Sequence, residues 1–227
     1  MKKLFVILLF ISILFFSCEP YAKNENINTR VSVQSLKNEN YEIRVFVEGL
    51  DGQIITGASV ILINENNQIT YIPFNTNEWC YFSEISITND EILKLKVDSI
   101  VLENSIEMEI PCSPLKNKPV ITSIQDSSGT SVFLGNNPSS SKDIQVAWDS
   151  CGDDITYYLT IKNALSAVYA TSTEQNQLVI PGGILESGTN YYATVQGQKI
   201  NGDPMFKTSS YYFVSVIESS QVGFLVE

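Results

Sequence analysis

From about Thr29 to the C-terminus the chain is cut into short runs rich in Val, Ile, Tyr and Phe, and no stretch sustains the 3.6-residue apolar period of a helix. The runs read YEIRVFVEG, ASVILIN, QITYIPF, WCYFSEISI and ILKLKVD, then DIQVAWD, TYYLTIK, NYYATVQGQ and YYFVSV, with Asn, Gly, Asp and Ser turns between them. Strands at this spacing indicate β-sandwiches, so an all-β chain is expected.

The two groups of runs are separated by PCSPLKNKP, which places Pro111, Pro114 and Pro119 close together. Proline cannot donate to a strand ladder, and the segment therefore reads as a domain boundary. The expectation is two β-sandwich domains in tandem, over residues 30–113 and 114–227, preceded by a leader over residues 1–17 and a polar, Asn-rich tether over residues 18–29.

Leu185, Gly188, Thr189 and Tyr191 form an L-x-x-G-T-x-Y arrangement, with Trp148 on an earlier strand. This resembles a fibronectin type III domain, covering roughly Asn117 to Ile217. The resemblance implies a tyrosine corner, in which Tyr191 buries its ring, its hydroxyl bonds to the preceding turn, and Leu185 closes the core beneath. In the first domain Val45 to Asn64 reads VFVEGLDGQIITGASVILIN, with an Asp51-Gly52 turn and Gly57-Ala58 leading into a strand. This resembles the opening of a carboxypeptidase-regulatory-like sandwich, a non-catalytic module. Gly57 is expected to adopt a backbone geometry closed to other residues, and Ala58 to make a close inter-sheet contact. A seven-stranded immunoglobulin-like sandwich is an equal contender.

The N-terminus carries Lys2 and Lys3, an apolar run from Leu4 to Phe16 broken only by Ser12, and then Ser17 and Cys18. That is the layout of an export signal, and the run is short of the roughly 20 apolar residues a spanning helix needs. Leu14, Ser17 and Cys18 resemble a bacterial lipobox, although Phe15 and Phe16 depart from its usual small and aliphatic residues. The resemblance implies cleavage before Cys18 and lipidation of its thiol, with palmitate among the acyl chains. Several acyl chains hold a protein firmly to a membrane. The expected location is the cell envelope, lipid-anchored to a bacterial membrane, the outer membrane being the first choice. A plain secretory signal with a chance cysteine is the alternative.

Fourteen basic residues against 25 acidic ones give a formal charge of −11, and the leader removes two lysines more. Such a surface repels phosphate backbones, so nucleic acid is excluded as a partner. The absence of histidine removes the commonest general base and every Ser-His or Cys-His nucleophile. No catalytic residue, metal or cofactor is assigned. Asp149, Asp153 and Asp154 crowd one loop with oxygen ligands suited to calcium, but they lack the spacing of a calcium loop and read as a solvated turn. Asp90 and Glu91 read likewise. Cys80 and Cys112 both fall in the first domain, and a disulfide between them is expected, closing a loop worth roughly 3–4 kcal/mol in the chain-entropy model. Cys151 would then stay free; a Cys112–Cys151 bridge between the domains is the alternative.

Three Tyr-Tyr doublets remain: Tyr157-Tyr158, Tyr191-Tyr192 and Tyr211-Tyr212. Successive strand residues face opposite ways, so one of each pair must leave the core. Parity puts Tyr157 and Tyr191 inside, and Tyr158 and Tyr192 outside on strands expected to be neighbours. Their rings would then stand close enough to form one flat platform for a sugar or a protein partner, or simply stabilise the sheet as a cross-strand pair. The functional expectation is a non-catalytic binding or structural module, for adhesion or envelope assembly. An accessory lipoprotein of a glycan-degrading or transport complex is the alternative, and a histidine-free carboxylate enzyme a distant third.

Overall fold

The computed structural model describes residues 27–36, 40–49, 51–99, 105–203 and 209–227; Cys18, the leader and the tether as far as residue 26 lie outside them. The described chain is all-β. Its first half supplies β1 (Asn28–Ser35), β2 (Asn40–Glu48), β3 (Ser59–Ile63), β4 (Ile69–Tyr71), β5 (Phe74–Asn75), β6 (Cys80–Ser86), β7 (Glu91–Asp98) and β8 (Ile106–Cys112). The second half supplies β9 (Ile121–Asp126), β10 (Ile144–Trp148), β11 (Thr156–Lys162), β12 (Ala167–Thr173), β13 (Gln177–Ile180), β14 (Thr189–Gly202), β15 (Ser210–Glu218) and β16 (Val222–Val226). Period-two patterning explains the elements. In β2, Tyr41, Ile43, Val45 and Val47 are buried while Glu42, Arg44, Phe46 and Glu48 face outward at intermediate exposure.

One nine-stranded sheet runs the length of the molecule in the order β12-β11-β14-β15-β1-β2-β6-β5, with β16 also on β14. The sheet β4-β3-β7-β8 covers one end and β13-β10-β9 covers the other. Each covering sheet encloses its own core. The first core contains Val31, Ile43, Val45, Leu95 and Ile110; the second contains Ile124, Val146, Trp148, Tyr157, Leu159 and Tyr191. Two sandwiches thus share one continuous sheet.

The joint is made by β14 and β15. Residues 189–193 of β14 pair with β16, and residues 196–202 pair with β15, which then pairs in parallel with β1. Between β15 and β16 the ladder is interrupted at Ser219, whose Oγ accepts the Val195 N–H at 2.9 Å while its own N–H donates to the Val195 carbonyl. Gly202 ends β14 at φ 90°, where a Cβ would fall 2.2 Å from the Tyr211 carbonyl oxygen, so only glycine fits. Phe213, carried by the second half of the chain, is fully buried in the first core and stacks on Tyr41 at 5.4 Å between ring centroids. Ser215 beside it is buried as well; it shares a 3.0 Å hydrogen bond with Tyr41 Oη and accepts the Leu115 N–H at 2.8 Å.

Several sequence expectations are corrected here. Asn28 and Thr29 belong to β1 and Ile27 is buried, so the last residues of the expected tether are part of the first sandwich. Pro111 lies within β8, paired opposite Ile92, which is tolerated because β8 is an edge strand. Gly57 has no positive φ and a Cβ there would meet nothing within 4 Å, so its expected special geometry is absent. Ala58 is partly buried and donates its N–H to Tyr81 Oη at 2.7 Å. The Cys80–Cys112 disulfide is absent: Cys80, Cys112 and Cys151 are buried free thiols. Cys80 opens β6 in the shared sheet, whereas Cys112 ends β8 in the covering sheet and turns its thiol to the Ile110 carbonyl. Burial pushes the Cys112 thiol up to about 12, with Glu91 adding to the effect, and burial also raises the other two.

Candidate functional site

The outer face of the shared sheet carries the side chains that the cores reject. On β11 and β14 the buried set is Tyr157, Leu159, Ile161, Tyr191, Ala193 and Val195, leaving Tyr158 39% exposed and Tyr192 41% exposed. Tyr158 and Tyr192 share this face but do not form one platform. Tyr158 lies opposite Gln196 and Tyr192 opposite Lys162, four residues apart along the ladder, or roughly 13 Å. Tyr158 instead sits within electrostatic reach of Tyr212, whose hydroxyl pKa is raised first by burial and then by Tyr158. Tyr212 and Ser32 are register partners at the seam between β15 and β1. Beyond them the same face carries Arg30 over the Phe46 ring and Arg44 over the Phe82 ring, at 5.4 and 5.5 Å. Arg30 is held by an ion pair to Glu48 and Arg44 by one to Glu42, so each cation has a carboxylate partner, although Arg30 Nε is buried without a hydrogen-bond partner.

Tyr192 lies in a different setting. It borders a groove of about 400 Å³ lined by Val132, Asn136, Asn137, Asn190, Gly223 and Leu225. Gly223 leaves the ring edge uncovered, since even a Cβ there would only reach contact distance at 3.4 Å. The short 3-10 turn Val132–Leu134 beside the groove exposes Phe133 by 51% and Leu134 by 76%. Asn137 donates to Glu227 Oε1 at 2.7 Å, while Asn136 and Asn190 are exposed. An aromatic face flanked by carboxamides, which both donate and accept, is the composition that neutral polyhydroxylated ligands match. Asn136, Asn190 and the Phe133-Leu134 pair were missed from the sequence. Their signal was an apolar pair running directly into Gly135-Asn136-Asn137-Pro138 with no strand to bury it.

The tyrosine corner stands beneath this groove. Tyr191 is 2% exposed, its hydroxyl accepts the Glu186 N–H at 2.8 Å, and its ring packs against Phe224 at 5.9 Å. Leu185 is buried, Thr189 opens β14, and Gly188 donates its N–H to the Val226 carbonyl. A second concavity, of about 910 Å³, lies between the sandwiches and is lined by Leu36, Tyr41, Lys116, Lys118, Gln196 and Glu218.

Asp126 is buried and accepts hydrogen bonds from Ser128 Oγ and the Ser128, Thr130 and Ser139 N–H groups. These donors, the Ser128 hydroxyl first, hold its carboxyl well below the usual range. Asp149, Asp153 and Asp154 are exposed turn residues, and among the described residues no three His, Cys, Asp or Glu side chains gather as a metal site.

Trp79 is another exposed aromatic, 61% accessible in the turn between β5 and β6, and it holds φ at 52°. A bulky residue in the left-handed region costs about 1–2 kcal/mol. Trp79→Gly is therefore expected to raise stability by about 0.5–1 kcal/mol after glycine's own entropy cost, read as a higher unfolding midpoint; a lower midpoint shows that the indole packs in solution.

No protein-family model and no curated protein matches the chain. Among solved structures it is similar to two chains of a cytokine receptor complex, seen in two crystal forms. The first is 11% identical with a TM-score of 0.39, covering 86% of this chain and 95% of that one. The second is 10% identical with a TM-score of 0.37, covering 87% and 99%.

Proposed function

We propose that this chain is a lipid-anchored, non-catalytic binding protein of the cell envelope, whose ligand site is the Tyr192 groove and whose ligand is a neutral glycan. The observation that carries the reading is the groove itself: an exposed tyrosine ring beside Asn136, Asn137 and Asn190, with no lysine, arginine or carboxylate pair among its lining residues. Anchoring rests on the sequence around Cys18. The shared sheet suits the role, because a continuous ladder holds the groove rigidly with respect to the first sandwich.

The test has two arms. Full-length protein and its Tyr192→Ala and Tyr158→Ala variants are compared on an array of neutral oligosaccharides. Wild type and Tyr158→Ala are expected to bind alike, and Tyr192→Ala about tenfold more weakly, the loss of one aromatic contact. Equal binding by a folded Tyr192→Ala variant removes the groove from the proposal. In the second arm, Cys18→Ser is expected to abolish labelling by palmitate and recovery with membranes, and retained label overturns the anchor.

A further inference from the structure

The nine-stranded sheet has two ends, and they are protected differently. At one end β5 is only two residues long; at the other β12 is a seven-residue strand paired on one side alone, with β11. A free edge presents unpaired backbone N–H and C=O groups, and proteins blunt such edges with charge, proline or brevity. The other edges follow this rule. β8 carries Glu107, Glu109 and Pro111; β4 is three residues long; β13 is four residues long, and its Val179 carbonyl accepts the Tyr169 hydroxyl at 3.5 Å; β9 is bridged at Gln125 by Ser131; and the end of β16 is met by Pro138 and Ser140, which hydrogen-bond Glu227. β12 breaks it. From Asn163 to Thr173 the sequence NALSAVYATST contains no charge and no proline, between Lys162 and Glu174. Leu165, in the turn that leads into β12, is 93% exposed, an apolar side chain that no described residue covers.

We infer that β12 is a self-association edge, on which a second copy of this chain adds its own β12 antiparallel and joins the two shared sheets. Charge selects the place, and the symmetry of the strand selects the occupant. At a formal charge of −11 two copies repel over most approaches, and an uncharged edge is where that repulsion is least. The strand is also self-complementary. A two-fold axis at Thr171 pairs Ala170 with Ser172 of the second copy on the exposed face, and Tyr169 with Thr173 on the half-buried face. It also carries each Leu165 toward the 174–177 turn of the other molecule. Small residues at 170 and 172 leave the approach open. A seven-residue edge buries less than a stable interface needs, so the dimer is weak and depends on concentration.

The test is a charge swap read by sedimentation velocity of the full-length protein in detergent. Wild type is expected to be a reversible dimer at about 100 μM. Ala170→Lys with Ser172→Lys places lysine opposite lysine and should weaken the dimer at least tenfold, whereas Ala170→Lys with Ser172→Asp places lysine opposite aspartate and should restore it to within about threefold of wild type. Both variants change exposed positions, and unfolding midpoints near that of wild type establish that they are folded. A wild type that stays monomeric overturns the inference. So does a Lys/Lys variant that dimerises like wild type, or a Lys/Asp variant as weak as the Lys/Lys one.

Discussion

Replacing Phe213 with alanine is expected to lower the unfolding midpoint by roughly 10 °C, although the residue belongs to the second half of the chain and its loss is felt in the first sandwich. The side chain is fully buried among residues of β1, β2 and their covering sheet, and it stacks on Tyr41. Truncating a buried phenylalanine costs about 3–5 kcal/mol, from lost transfer energy and the cavity left behind. For a chain of this size each kcal/mol moves the midpoint by about 2–4 °C. Thermal unfolding followed by far-UV circular dichroism checks it. A shift below about 3 °C would mean that the parallel β15–β1 ladder, and with it the union of the two sandwiches, does not form in solution.

Tyr191→Ala should be as damaging, again about 3–5 kcal/mol, by opening the second core beneath Leu185 and against Phe224. Tyr191→Phe separates the two roles of the side chain. It keeps the ring and removes only the acceptor for the Glu186 N–H, a loss of about 1 kcal/mol. Equal midpoints for the alanine and phenylalanine variants would assign the corner's contribution to the hydrogen bond instead of the packing. The Tyr192 groove shares β14 and β16 with this corner, so Tyr191→Ala is also expected to deform it.

What could be read directly from the residues was local. Alternation in YEIRVFVE and TYYLTIK assigns strand and face at once, because the side-chain period of a strand is two and a core accepts one face only. The same alternation places Tyr157 inward and Tyr158 outward without reference to any other strand. The all-β class follows from many such runs, since apolar faces of short strands are buried only by stacking sheets.

Register and partner choice between distant strands were decided by the tertiary structure. That Tyr158 faces Gln196 while Tyr192 faces Lys162 depends on how β11 slides against β14, and no residue in either strand states that offset. That β15 leaves β16 at Ser219 and pairs with β1, some 180 residues earlier in sequence, depends on Phe213 and Ser215 finding Tyr41 in the folded molecule. The cysteines tell the same story: Cys80 and Cys112 belong to one domain by sequence but to opposite sheets in space, and each is buried apart as a free thiol. Side-chain pattern determined what each segment is, because burial of one face is a property of the segment alone. Which segments meet is a property of pairs, settled only when the backbone hydrogen bonds and the two cores are satisfied together.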